Sequence, residues 1–112
     1  MGTDFNIISE IHNDILVMKT VGYINNIAGE IIMEEFSKNF SDEINKVVMD
    51  LGKTKVVNSI GISYLVDIIE KLNQSKSMLI FTNLEPTIEK TFNIMGIFQF
   101  AEKADSVDSV LK

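Results

Sequence analysis

Short apolar runs of strand length alternate with longer stretches of helical period along this chain. Phe5 to Ile11 alternates loosely, with Phe5, Ile7, Ser9 and Ile11 set against Asn6, Ile8 and Glu10. That pattern predicts a strand with one better-buried face. His12-Asn13-Asp14 has turn chemistry, and Ile15 to Tyr23 is a longer, more apolar strand, so the two predict a hairpin. Asn25-Asn26 can cap a helix in which Ile27, Ile31 and Phe36 face the sheet and Glu30, Glu34 and Glu35 face water. Val47-Val48-Met49, closed by Asp50-Leu51, is apolar on both sides and rich in β-branched residues, the mark of a buried parallel strand. From Ile62 the period changes. Ile62, Leu65, Ile68, Ile69 and Leu72 fall at helical spacing, with Asp67, Glu70 and Lys71 on the other side.

The second half repeats the alternation. Met78 to Phe81 reads as a fourth buried strand. Pro86 suits a first helical turn, followed by Ile88, Phe92 and Met95 and a stop at Gly96. The Met and Phe residues between 78 and 100 are expected in the core. Ile97 to Ala101 predicts a last short strand, and Ser106 caps a helix through Val107, Val110 and Leu111. The order is β-β-α-β-α-β-α-β-α. It predicts an α/β fold with a mixed sheet, parallel crossovers and helices packed on one face, and residues 1–112 as a single domain.

Charge and composition narrow the function. The chain of 112 residues carries a net charge of −6, and its ten basic residues are all Lys. Clustered cations for nucleic acid are lacking, and so is the bidentate phosphate-binding group that Arg supplies. No cysteine is present, which removes disulfides and thiolate metal sites. The first six residues have neither the charged and apolar regions of a secretion signal nor, with Asn6, the hydroxyl of a myristoylation pattern. No apolar run approaches a membrane span. A cytoplasmic protein without membrane, nucleic-acid or cofactor partners is expected. Gly52-Lys53-Thr54 is a turn rather than a P-loop, because Val47 stands where the first glycine is required. His12 sits in the hairpin turn, remote from any Ser and acid that would complete a catalytic set, and reads as a surface residue. No catalytic machinery emerges.

What remains is Ser59, where the segment after the central strand hands over to a helix. Ser is a favoured N-cap, and a hydroxyl there is exposed. The positive end of the helix also tolerates an added phosphate. Gly61, two residues on, permits close approach of another backbone.

Met49-Asp50-Leu51 together with Val57-Asn58-Ser59-Ile60-Gly61-Ile62 resembles the signature of the STAS domain in the anti-sigma factor antagonist family. Members read strand, Asp-Leu, short loop, then Asp/Asn-Ser-Ser/Thr-Gly-Leu opening a helix. This chain departs from that pattern with Asn58 for the frequent Asp, Ile60 for the second hydroxyl residue and Ser63 where a second Gly is common. The resemblance implies a STAS-like fold and no enzyme activity. It implies that Ser59 is a phosphate acceptor, with Asn58, Ile60, Gly61 and Ser63 as neighbours facing a partner. It further implies that the unphosphorylated chain binds an anti-sigma factor that is also a Ser protein kinase, so that a sigma factor is released, and that a Ser/Thr protein phosphatase resets the switch. The alternative is a scaffold or adaptor of the same fold that regulates another signalling enzyme, with Ser59 serving only as a helix cap.

Overall fold

The burial of both faces of the three middle strands decides how this molecule packs. The computed structural model describes residues 5–112; the reading of the first four residues lies outside them. β1 (Asn6–His12) and β2 (Ile15–Val21) form the expected antiparallel hairpin. Asn13 takes the left-handed φ of 58° at its turn, which Asn tolerates better than most residues. β3 (Lys46–Lys53), β4 (Met78–Thr82) and β5 (Glu102–Ala104) then add in parallel, so the five-stranded sheet has the order β1-β2-β3-β4-β5. The Val47–Leu51 run is thus the middle of the central strand, with Val47, Val48, Met49 and Leu51 buried.

Helices α1 (Asn26–Asn39), α2 (Ser59–Gln74) and α3 (Pro86–Ile94) are the crossovers between successive parallel strands. With the strand order advancing one step at a time, right-handed crossovers place all of them on one side. The core accordingly joins Leu16, Met18, Val47, Met49, Leu79 and Phe81 of the sheet to Ile32, Phe36, Leu65, Ile69, Ile88 and Phe92 of those helices. Ile62, Leu65, Ile68, Ile69 and Leu72 are all buried, as their spacing predicts. A short α4 (Val107–Leu111), capped by Ser106, touches β3 and β5.

Three local expectations change. In α1 the buried stripe is Ala28, Gly29, Ile32 and Phe36, whereas Ile27 is 62% exposed and Ile31 only half-buried. The cause is the crossing with α2: a Cβ on Gly29 would lie 2.3 Å from Cδ2 of Tyr64, so the closest contact needs the smallest residues. The last strand is not 97–101. Gly96 turns the chain with a φ of 75°, Ile97–Gln99 is a 3₁₀ turn, and the strand begins at Glu102. Ile97 and Ala101 are both buried, and the Ala101 amide donates to the Ile97 carbonyl at 3.1 Å. The apparent alternation was therefore a tight turn tucking in both of its ends. Finally, Phe81 and Phe92 are core residues, but Met95 and Phe100 are exposed.

Candidate functional site

The helix that carries Ser59 starts where it does because its loop is stitched to a distant connection. Gly22 donates its amide to the Lys53 carbonyl, and Ile24 donates to the Val56 carbonyl, each at 3.0 Å. Asn58 donates in return to the Ile24 carbonyl at 3.0 Å, forming an isolated parallel bridge between Ile24 and Val57. Beneath it, the buried hydroxyls of Thr20 and Thr54 meet at 2.7 Å. The segment between β3 and α2 is therefore held by the segment between β2 and α1. Gly61 completes the fit: a Cβ there would stand 2.5 Å from the Ile24 carbonyl oxygen. The close approach anticipated for Gly61 is to Ile24, a residue that periodicity alone had no means of naming.

Asn58, not Ser59, is the N-cap of α2. Its Oδ1 accepts the Gly61 amide at 2.7 Å, and its carbonyl accepts the Ile62 amide at 2.9 Å. Ser59 is the first residue inside the helix. The reading of Ser59 as the helix cap is overturned because Asn58 is extended and has already taken that position. Ser59 is exposed, and its hydroxyl has no hydrogen-bond partner among the described residues. The amides of Ser59 and Ile60 are among those that helix geometry leaves without an intrahelical acceptor. No acidic residue occupies the first turn of α2. A phosphate on Ser59 would thus find open donors and the favourable end of the helix dipole.

The other candidate hydroxyls are less available. Thr54, in the preceding loop, is fully buried against Thr20. Ser63 is exposed, but its Oγ donates to the Ser59 carbonyl at 3.2 Å, one turn back. Of the neighbours the resemblance pointed to, Ile60 is exposed, Asn58 half-buried and Gly61 buried beneath Ile24. Ile60, Val56 in the preceding loop and Ile27 in the first turn of α1 each leave more than half of their surface in solvent. Ile27 is the one the periodicity assigned to the face that meets the sheet. The lone His12 ends β1, where it bonds Glu10, away from this site. Among the described residues no set of side chains could hold a metal ion, and no helix is long and apolar enough to cross a membrane.

Comparison with known proteins places this geometry. The family model for the STAS domain matches residues 6–110. The chain belongs to the STAS domain family. BtrV of Bordetella bronchiseptica, named as an anti-sigma factor antagonist, is 25% identical to this STAS domain over 85 residues, covering 76% of this chain and 73% of BtrV. Among solved structures, an anti-sigma factor antagonist from Mycobacterium paratuberculosis superposes with a TM-score of 0.82 at 18% identity, covering 96% of this chain and 92% of the other. The Bacillus cell fate determinant SpoIIAA in its phosphorylated form superposes at 0.75 with 18% identity, covering 94% and 96%. At such identities the structural matches establish a shared fold.

Proposed function

We propose that this STAS domain is an anti-sigma factor antagonist switched by phosphorylation of Ser59. In this reading the unphosphorylated chain binds an anti-sigma factor that is also its Ser kinase, which frees a sigma factor. Phosphorylation ends the complex, and a Ser/Thr phosphatase restores the binding form. The domain is substrate and ligand rather than catalyst, works in the cytoplasm as one domain and needs no cofactor. The observation that carries this is the state of Ser59: an exposed hydroxyl, unbonded among the described residues, on a clamped helix start, next to the exposed apolar side chain of Ile60. Similarity to a protein named as an anti-sigma factor antagonist, and a fold shared with a phosphorylated cell fate determinant, support the same reading.

The physics of the switch is local. A phosphoserine carries roughly −1.5 to −2 charges. The lining near Ser59 contains Asp67 and, among the described residues, no Lys, so no internal cation draws the phosphate into the fold. The helix stays as it is, and the added dianion sits in the middle of a surface that docking must dehydrate. A hundredfold loss of affinity requires only about 2.7 kcal/mol, within reach of one charge buried against apolar groups. Incubation with the cognate kinase and ATP, followed by phosphosite mapping, tests the reading: phosphate is expected on Ser59, and phosphate on another residue would refute it.

A further inference from the structure

A second apolar surface continues along the helix-bearing side from the Ser59 end of α2. Two open cavities of about 680 and 400 Å³ lie end to end along α2. The first begins at Val57 and Ser59, and the second ends at Gln74 and Phe100. Val66 and Met95 line both, so the cavities form one groove between α2 and the turn that follows α3. Large apolar side chains stand open on that turn: Met95 and Phe100 are 53% and 58% exposed. Monomers seldom leave such groups clustered in water without a use for them. Among the described residues the charged members of the lining are Asp67 and Glu70, with no Lys or His in either cavity. The 16 residues of α2 span about 24 Å, which gives the groove the length of four turns of a second helix.

We infer that this groove docks an amphipathic helix of another protein, apolar along one face and rich in Lys or Arg on the margin that meets Asp67 and Glu70. The apolar face would fill the space between Val66, Met95 and Phe100, as helix-in-groove recognition does elsewhere. The two carboxylates set the sign of the partner's charge. The groove starts at the proposed anti-sigma contact, which a phosphate on Ser59 breaks, and runs from there to Phe100. Here the same phosphate adds to a negative rim, so a cationic helix binds the phosphorylated form at least as tightly.

The test uses the full chain and a synthetic helix of about 18 residues with Leu at i, i+3, i+4 and i+7 and Lys elsewhere, beside its Leu–Glu counterpart. The Lys peptide is expected to bind and to shift the amides of Val66, Asp67, Met95 and Phe100; the Glu peptide is not. Reversing both charges in D67K/E70K should weaken the Lys peptide roughly tenfold and favour the Glu peptide. Phe100→Ser, at an exposed position, should weaken it by a similar factor, whereas reversing Glu30 and Glu34 on α1 should change nothing. Ser59→Asp should leave the affinity equal or higher. Failure of both peptides to bind, equal binding of the two, amide shifts confined to Ile27 and Ile60, or a looser complex with Ser59→Asp would each overturn the proposal. A concentration-dependent dimer abolished by Phe100→Ser would give the groove to a second copy of the chain and overturn it equally. Failure of the Ser59 phosphorylation assay would leave this result untouched.

Discussion

The loop between β3 and α2 and the connection between α3 and β5 lie on the same side of the sheet, yet they are held in opposite ways. The first is fastened from a distance, through backbone bonds to Ile24 and the buried hydroxyl pair of Thr20 and Thr54. The second closes on itself: Gln99, Phe100 and Ala101 donate their amides to Gly96, Ile97 and Ile97. Both expose apolar side chains. A long-range clamp fixes the position of a hydroxyl that a partner must reach, and it is vulnerable to changes far away in sequence. A local turn needs no such support, so its outward residues are free to vary without loss of fold.

That contrast can be broken most strongly through the support both regions share. Leu65 is fully buried in the middle of α2, the helix that starts at the loop and borders the groove. Leu65→Ala is expected to cost about 2–5 kcal/mol, read by thermal or denaturant melting, with Asp67→Ala on the exposed face staying within about 0.5 kcal/mol. Gly61→Ala comes next. The change would favour an isolated helix, yet its Cβ must displace the Ile24 carbonyl, and overpacking of this kind costs about 1–3 kcal/mol. Faster hydrogen exchange at the Asn58 amide, which bonds that carbonyl, is the local sign that the clamp has opened. Slow exchange there, with a large overall loss of stability, would locate the damage elsewhere.

The same contrast explains what could be read from the chain. Strand positions and the buried face of α2 follow from period alone, because strands buried on both sides and a long amphipathic helix leave strong patterns. The face of α1 did not, since Ala28 and Gly29 are chosen for the close crossing with Tyr64, and small residues carry little hydrophobic signal. The α3–β5 turn was misread because Ile97 and Ala101 are buried one helical turn apart in a run that also alternates. At the site, the helix start and the need for a glycine were legible. The cap was misassigned by one residue, because Asn58 and Ser59 are equally good caps by type and only the extended backbone of Asn58 separates them. Asn58→Ala is therefore expected to cost about 0.5–2 kcal/mol, and retained stability in that variant would count against the cap geometry.

The smallest effects on stability discriminate best between readings of Ser59. As the first residue of α2 it contributes a hydroxyl without a bond, so Ser59→Ala should alter stability by no more than about 0.5 kcal/mol. Were Ser59 the cap, the loss would match that of Asn58→Ala. Ser59→Asp places a negative charge beside the open amides of the first turn and should stabilise by about 0.3–1 kcal/mol, an increment that shrinks as salt is raised. Binding should run the other way. Ser59→Ala should keep its affinity for the anti-sigma factor and accept no phosphate, while Ser59→Asp, the more stable protein, should bind less tightly. Melting curves and titrations of the two variants against one anti-sigma factor measure both quantities. Stability and affinity moving in opposite directions would tie the switch to the docking surface. Loss of both in Ser59→Asp would mean that the charge disturbs the clamped loop itself, and equal affinity of the two variants would remove Ser59 from the interface.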